Sequence, residues 1–382
     1  MSDPVARIFD DFDSGRISRR HLLQMLGFAA VATPFSNAIA QGSCGGDNAA
    51  LPRCNTVPFP PPFDPTGWKT VVLDHFSMQV EDYQKEAAYY SALMSWKVRS
   101  DDGTKAVLDI GDWGGVEIRG GLVVPPASPA APAPGAAGGS GGRGGRGGGG
   151  RAPARAVWDG FAWGIAPWDT KTVEAELKKR GLNPVADHRG NGFESFHVKD
   201  PDGLDVQLTN GTRHNRRTTP AAGKLSASAP FEPTGWKTVF LDHISFQCTS
   251  YKESAAFYAA LLGWTPGGDE GSQNTMAIAP DIGGIIIRGG NANAPGGLAA
   301  GRGGGAGAAA PAGPIVRRAV MNHVSFGIAG FDPDAVLAEL TKRGLSARVD
   351  TGGRGEIHEA PYKSYHTTTP NGYDLQISNT IS

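Results

Sequence analysis

One strand-like stretch occurs twice in this chain, and that duplication constrains the fold more than any other feature. Pro62 to Gln79 reads PFDPTGWKTVVLDHFSMQ, and Pro230 to Gln247 reads PFEPTGWKTVFLDHISFQ, with the same spacing at every position. Val, Leu and Phe alternating with polar residues predict a half-buried strand in each copy. Side chains alternate across a strand, so His75, Ser77 and Gln79 share one face of the first copy, and His243, Ser245 and Gln247 one face of the second. A polar row with a histidine at its head, repeated on one face, predicts the lining of a cavity.

The pattern around each copy repeats as well. Asp82 to Trp96 and Ser250 to Trp264 carry apolar residues at helical spacing, and short strands are predicted over 106–110, 115–119, 276–279 and 284–288. A second kind of unit follows each. Its first strand is predicted at VWDGFAWGI or at 319–328, and its helix at 170–180 or 333–343. Its last strands flank the turns Asp200-Pro201-Asp202-Gly203 and Thr369-Pro370-Asn371-Gly372. Ile118-Arg119-Gly120-Gly121 matches Ile287-Arg288-Gly289-Gly290, and Lys179-Arg180-Gly181-Leu182 matches Lys342-Arg343-Gly344-Leu345. Four strand–helix–strands units in two pairs predict an α+β fold.

The 382 residues suffice for two domains. Gly 55 and Pro 28 are high, but the excess lies in two linkers, and a net charge of −1 gives no global field for nucleic acid or an anionic membrane. GGRGGRGGGGR lacks aromatic interleaving and reads as solvated linker rather than RNA-binding segment. Of the three cysteines, Cys44 and Cys54 are placed to form a disulfide if the chain is exported, and Cys248 reads as a buried, inert thiol.

Ser18-Arg19-Arg20-His21-Leu22-Leu23 resembles a twin-arginine export motif, with Ala38-Ile39-Ala40 as the small-x-small cleavage pattern. The apolar run behind it is broken by Gln24, Pro34 and Asn37, so stable membrane insertion is not expected. The expected organisation is a signal over 1–40, a tether over 41–61 and a first domain over 62–211 with a Gly/Pro/Arg-rich linker at 122–155. A connector over 212–229 and a second domain over 230–382 with a Gly/Ala-rich linker at 291–314 complete it. The implied location is periplasmic or extracellular.

Paired units that open on Asp-His and close on Asp-Pro-Asp-Gly or Pro-Asn-Gly resemble the vicinal-oxygen-chelate superfamily of glyoxalases, extradiol dioxygenases and bleomycin-resistance proteins. The resemblance spans about 68–210 and 236–379. It implies paired βαβββ units forming cupped mixed sheets in two tandem domains, with a divalent metal held in a cup against a small substrate bearing adjacent oxygens. Matched to the ligand positions of that family, the second domain offers His243, His323 and Gln376, with Ile286 at the remaining position. The first offers a weaker set, His75, Glu117 and Gln207, with Gly160 at the position of His323. Gln stands in both domains where a glutamate is usual.

Two imidazoles and an amide oxygen suit Fe, Zn, Ni or Co better than Mg or Mn. His358 and His366, like His188 and His197 in the first domain, fall where the dioxygenases carry a His and an acidic Tyr, so His366 supported by His358 is the expected proton carrier. The expected function is an exported metal-dependent enzyme, dioxygenase-like or glyoxalase-like. The alternative is a metal-free protein that sequesters a small ligand, like the bleomycin-resistance proteins. The sequence leaves open whether each cup closes within one domain or by exchange between domains.

Overall fold

A computed structural model describes residues 59–111, 113–123, 156–214, 221–269, 273–279, 281–289 and 319–381. The export motif, Cys44, Cys54 and nearly all of both glycine-rich linkers lie outside these residues. No helix among the described residues is long and apolar enough to cross a membrane.

The first unit runs β1 (Lys69–Val80), α1 (Tyr83–Met94), β2 (Lys97–Asp101), β3 (Lys105–Ile110) and β4 (Gly114–Arg119). The second runs β5 (Ala156–Ala166), α2 (Thr170–Lys179), β6 (Val185–Ala186), β7 (Ser195–Lys199) and β8 (Asp205–Thr209). The third is β9 (Thr238–Cys248), α3 (Tyr251–Leu262), β10 (Thr265–Asp269), β11 (Gln273–Ala279) and β12 (Gly283–Gly289). The fourth is β13 (Val320–Ile328), α4 (Pro333–Lys342), β14 (Arg348–Asp350), β15 (Ser364–Thr368) and β16 (Asp374–Ser378). The sequence pattern missed the strands β2, β10 and β14, which are short and carry polar or glycine residues, as in KVRSD and TPGGD, and β6, which is only two residues long.

The strands form two eight-stranded mixed sheets, ordered β2-β3-β4-β1-β5-β8-β7-β6 and β10-β11-β12-β9-β13-β16-β15-β14. The first strands of consecutive units pair antiparallel at the centre of each sheet, β1 with β5 and β9 with β13. Each sheet is therefore completed by neighbouring units, which answers the question of exchange.

The helices start where the sequence supplies caps. The side chains of Asp82, Asp169, Ser250 and Asp332 each accept a backbone N–H three residues on. The four helices differ in what they cover. α2 buries only Val173 and Leu177, whereas α1 buries eight residues around most of its circumference, including Glu86, Tyr89, Tyr90 and Leu93. α1 and α3 are enclosed because the two sheets share one core.

That core fixes where the cups face. Phe76 lies on the face of β1 opposite His75 and Ser77, and Phe326 on the face of β13 opposite His323 and Ser325. The two phenylalanine rings meet edge to face with centroids 6.4 Å apart. The sheets thus pack back to back and leave the histidine rows on their outer faces. Related hydrogen bonds join the halves: Trp96 Nε1 donates to Thr238 Oγ1 at 3.0 Å, and Trp264 Nε1 donates to Thr70 Oγ1 at 2.9 Å.

Candidate metal centre

Strand register gathers the polar residues of the second sheet into one patch. His243 lies beside Ser325 and Gly284, Ser245 beside His323, His323 beside Asp374, and Gln376 beside both Ser325 and His366. Asp242 falls at a register irregularity between β9 and β13, since Leu241 and His243 pair with the consecutive residues Phe326 and Ser325. Such a bulge turns an extra side chain out of simple alternation. Asp242 Oδ2 consequently reaches His243 Nδ1 at 3.3 Å.

Asp242 is held by more than its neighbour. Ser325 Oγ donates to it at 2.7 Å and the Tyr362 hydroxyl at 2.8 Å. Burial pushes its carboxyl up, but His243, Ser325 and Tyr362 outweigh that and hold it well below the usual carboxylate range. A carboxylate on Nδ1 orients the ring and presents Nε2 to the cup. There His243 Nε2 lies 3.2 Å from His323 Nε2. Burial, then the charges of His243 and His366, pull the His323 imidazole down to about 3, so it is neutral across the physiological range.

Gln376 is anchored through its amide nitrogen. Nε2 donates to the Tyr362 hydroxyl at 2.9 Å and to Ser364 Oγ at 2.7 Å, and both oxygens already donate their own protons elsewhere. The amide orientation is thereby fixed, and Oε1 is buried with no protein hydrogen-bond partner. Two imidazole nitrogens about one ligand–ligand distance apart, near an orphaned amide oxygen, suit a divalent ion of intermediate softness.

His366 and His358 separate. His366 is 6% exposed, its ring centroid lies 5.0 Å from that of His323, and its Nδ1 and Nε2 meet Asp374 at 3.1 Å and Asp350 at 3.2 Å. Burial lowers its pKa, but the two carboxylates carry it above the ordinary imidazole value. The His358 side chain is 61% exposed and meets Asp334 at 3.6 Å rather than His366. The structure gives no support for the expected pairing of the two, because His358 lies in the loop before β15 rather than on a strand of the cup.

The first sheet encloses a cavity of about 440 Å³ lined by His75, Glu117, Arg119, Arg189, His197 and Gln207, among others. All three sequence-expected ligands therefore line one cavity. Glu117, however, is engaged by Lys105 at 2.8 Å, Arg189 at 3.5 Å and Arg119 at 3.7 Å. A carboxylate neutralised by three cations is a poor metal ligand. Gly160 occupies the position of His323, beside Ser77 and Asp205. Asp74 repeats the bulge of Asp242 and holds His75 Nδ1 at 2.7 Å.

Among solved structures, the Mn(II)-bound glyoxalase from Novosphingobium aromaticivorans matches over 81% of this chain and 82% of that one, at 14% identity and a TM-score of 0.51. A catechol 2,3-dioxygenase matches over 81% and 88%, at 14% identity and a TM-score of 0.50. The protein has the tandem glyoxalase/dioxygenase fold. A variant of homoprotocatechuate 2,3-dioxygenase from B. fuscum shares it over 85% of this chain and 75% of that one, at 15% identity and a TM-score of 0.50. No protein-family model and no curated protein matches the sequence. Within this fold, the sequence reading missed Asp242, Tyr362, Asp350 and Asp374. The repeated Asp-His dipeptide was the available signal for Asp242. Nothing local marks Tyr362, which reaches the site from the loop before β15.

Proposed function

We propose that the protein is an exported, metal-dependent enzyme of the vicinal-oxygen-chelate type, acting in its second cup on a small substrate with adjacent oxygens. The convergence of His243 Nε2 and His323 Nε2 to 3.2 Å carries this reading. A divalent ion bound there would supply Lewis acidity to the two adjacent oxygens. His243 and His323 would hold it, with Gln376 Oε1 as the neutral third donor. Asp242, braced by Ser325 and Tyr362, keeps the His243 ring turned toward the cup. His366, whose proton affinity is lowered by burial but raised overall by Asp350 and Asp374, is the proton-bearing group beside His323. The arrangement suits a catechol-like diol or a 2-oxo/hydroxy compound, and the N-terminal twin-arginine resemblance supports a location outside the cytoplasm.

A second reading applies to the first cup, where Glu117 is taken up by cations. That cavity suits a small polar ligand bound without metal, as in the sequestering proteins. Elemental analysis of chelator-free protein tests the main reading: the wild type carries metal, and His243→Ala loses most of it. Unchanged metal content in His243→Ala would sink the assignment. Turnover of catechols with oxygen, or of 2-oxoaldehyde–thiol adducts without it, then separates the two reaction types.

A further inference from the structure

Gln376 leaves the second cup short of a negative charge, yet two carboxylates lie beside it. Asp374 and Gln376 lie on the same face of β16, two residues apart. Asp374 is the register partner of His323, as Gln376 is of His366. His323, His366 and Asp374 each present a donor atom within 4.8 Å of the others. We propose that the ion of the second cup is held by His323, His366 and Asp374, so that Asp374 supplies the charge that Gln376 lacks. This rests on the reading that the second cup binds a divalent ion, and it moves that ion one step along β16.

The distances fit a shared ion. His366 Nδ1 and Asp374 Oδ1 are 3.1 Å apart, and two donors bound at ~2.0–2.2 Å at near right angles stand about 3 Å apart, while Arg348 holds only the other carboxylate oxygen, Oδ2, at 2.8 Å. Asp350 lies 3.2 Å from His366 Nε2, on the far side of the ring, where an outer carboxylate steadies a ligating histidine. Two imidazoles with one carboxylate form a set that binds Fe(II), Zn or Co and leaves positions open for a substrate's paired oxygens.

The first cup is a natural comparison. His197 and Asp205 occupy the positions of His366 and Asp374, with Nδ1 and Oδ2 2.5 Å apart, and Asp187 lies 3.5 Å from Nε2. Gly160 stands where His323 would be. The histidine–aspartate pair exists there without its third member, so one ion per chain is expected rather than two.

In this arrangement His366 is a ligand and not a proton carrier, and the two roles separate in one variant. The full-length protein, stripped with chelator, is titrated with Co(II) while the visible absorption and the bound cobalt are followed. The expected result is one cobalt per chain, with affinity reduced at least ~10-fold in both Asp374→Asn and His366→Gln and unchanged in Asp205→Asn. Circular dichroism confirms that each variant is folded, and His366→Gln carries the test if Asp374→Asn is not. Wild-type cobalt binding in Asp374→Asn and His366→Gln, with loss only in His243→Ala, overturns this inference and leaves the functional reading standing. Loss in Asp374→Asn and His366→Gln but not in His243→Ala supports it and overturns the assignment of His243 as a ligand, with metal binding in the second cup retained. A wild type that takes up no cobalt overturns both.

Discussion

At the scale of single residues, Gln376 shows how an amide in place of the expected glutamate has a structural cause. Its amide nitrogen donates to Tyr362 and Ser364, whose own protons go to Asp242 and to the Asp350 carbonyl. Gln207 repeats the arrangement, donating to Ser195 Oγ at 2.8 Å while that hydroxyl donates to the Asp187 carbonyl at 2.6 Å. A glutamate at 376 would set a carboxylate against oxygens with no proton to offer. Gln376→Glu should therefore destabilise the metal-free protein by about 1–3 kcal/mol, the cost of a buried polar group losing its partners. It also places a charge in the cup, so added Zn or Co should raise the melting temperature of the variant more than that of the wild type. Equal shifts would mean that residue 376 does not face the ion. The substitution was legible in the sequence at both positions. The reason for it was not, because Tyr362 and Ser364 reach Gln376 only through the fold.

The Pro-Asp-Gly and Pro-Asn-Gly turns show the same limit at the scale of elements. The sequence marks them as turns, but each also fastens one half of the molecule to the other. Asp200 Oδ1 accepts from the N–H groups of Asp202 and Leu204 to shape its turn, and Oδ2 accepts from the Tyr258 hydroxyl of α3 at 2.9 Å. At the matching turn, Asn371 Nδ2 donates to Glu86 of α1 at 2.7 Å. Burial pushes the Asp200 carboxyl up to about 6, against the hydrogen bonds that favour its charge. A carboxyl raised on folding binds its proton more tightly in the native state. Its contribution is full below the unfolded value near 3.8 and is lost as pH rises through about 6, an effect on the order of 2–3 kcal/mol. Asp200→Asn keeps an acceptor for the turn and cannot ionise. Its stability relative to wild type should rise between pH 4 and pH 7 in urea titrations, and a constant difference across that range would contradict the assignment.

For the molecule as a whole, duplication explains most of what was readable in advance. The repeated Trp-Lys-Thr strand, the helices behind it and the pairing of units all follow from periodicity, and the two eight-stranded sheets match that expectation. Periodicity does not say that the sheets pack back to back, because Phe76 and Phe326 look like ordinary core residues of separate halves until their rings are seen to meet. The shared core has a thermodynamic consequence. Trp96 is 1% exposed, stacks on Tyr90, packs edge-on against Phe326 and hydrogen-bonds Thr238 across the interface. Trp96→Ala should cost about 3–5 kcal/mol, as for other buried aromatic deletions. Because the side chain belongs to both halves, calorimetry should show one transition moved down rather than one half melting early. A ligand of the second cup should stabilise the whole in the same manner. Zn or Co at 100 times its dissociation constant adds about 2.7 kcal/mol and should shift that single transition up by roughly 3–5 °C. Two resolved transitions, only one of them moving with metal, would show that the halves melt independently and that the common core does not couple them.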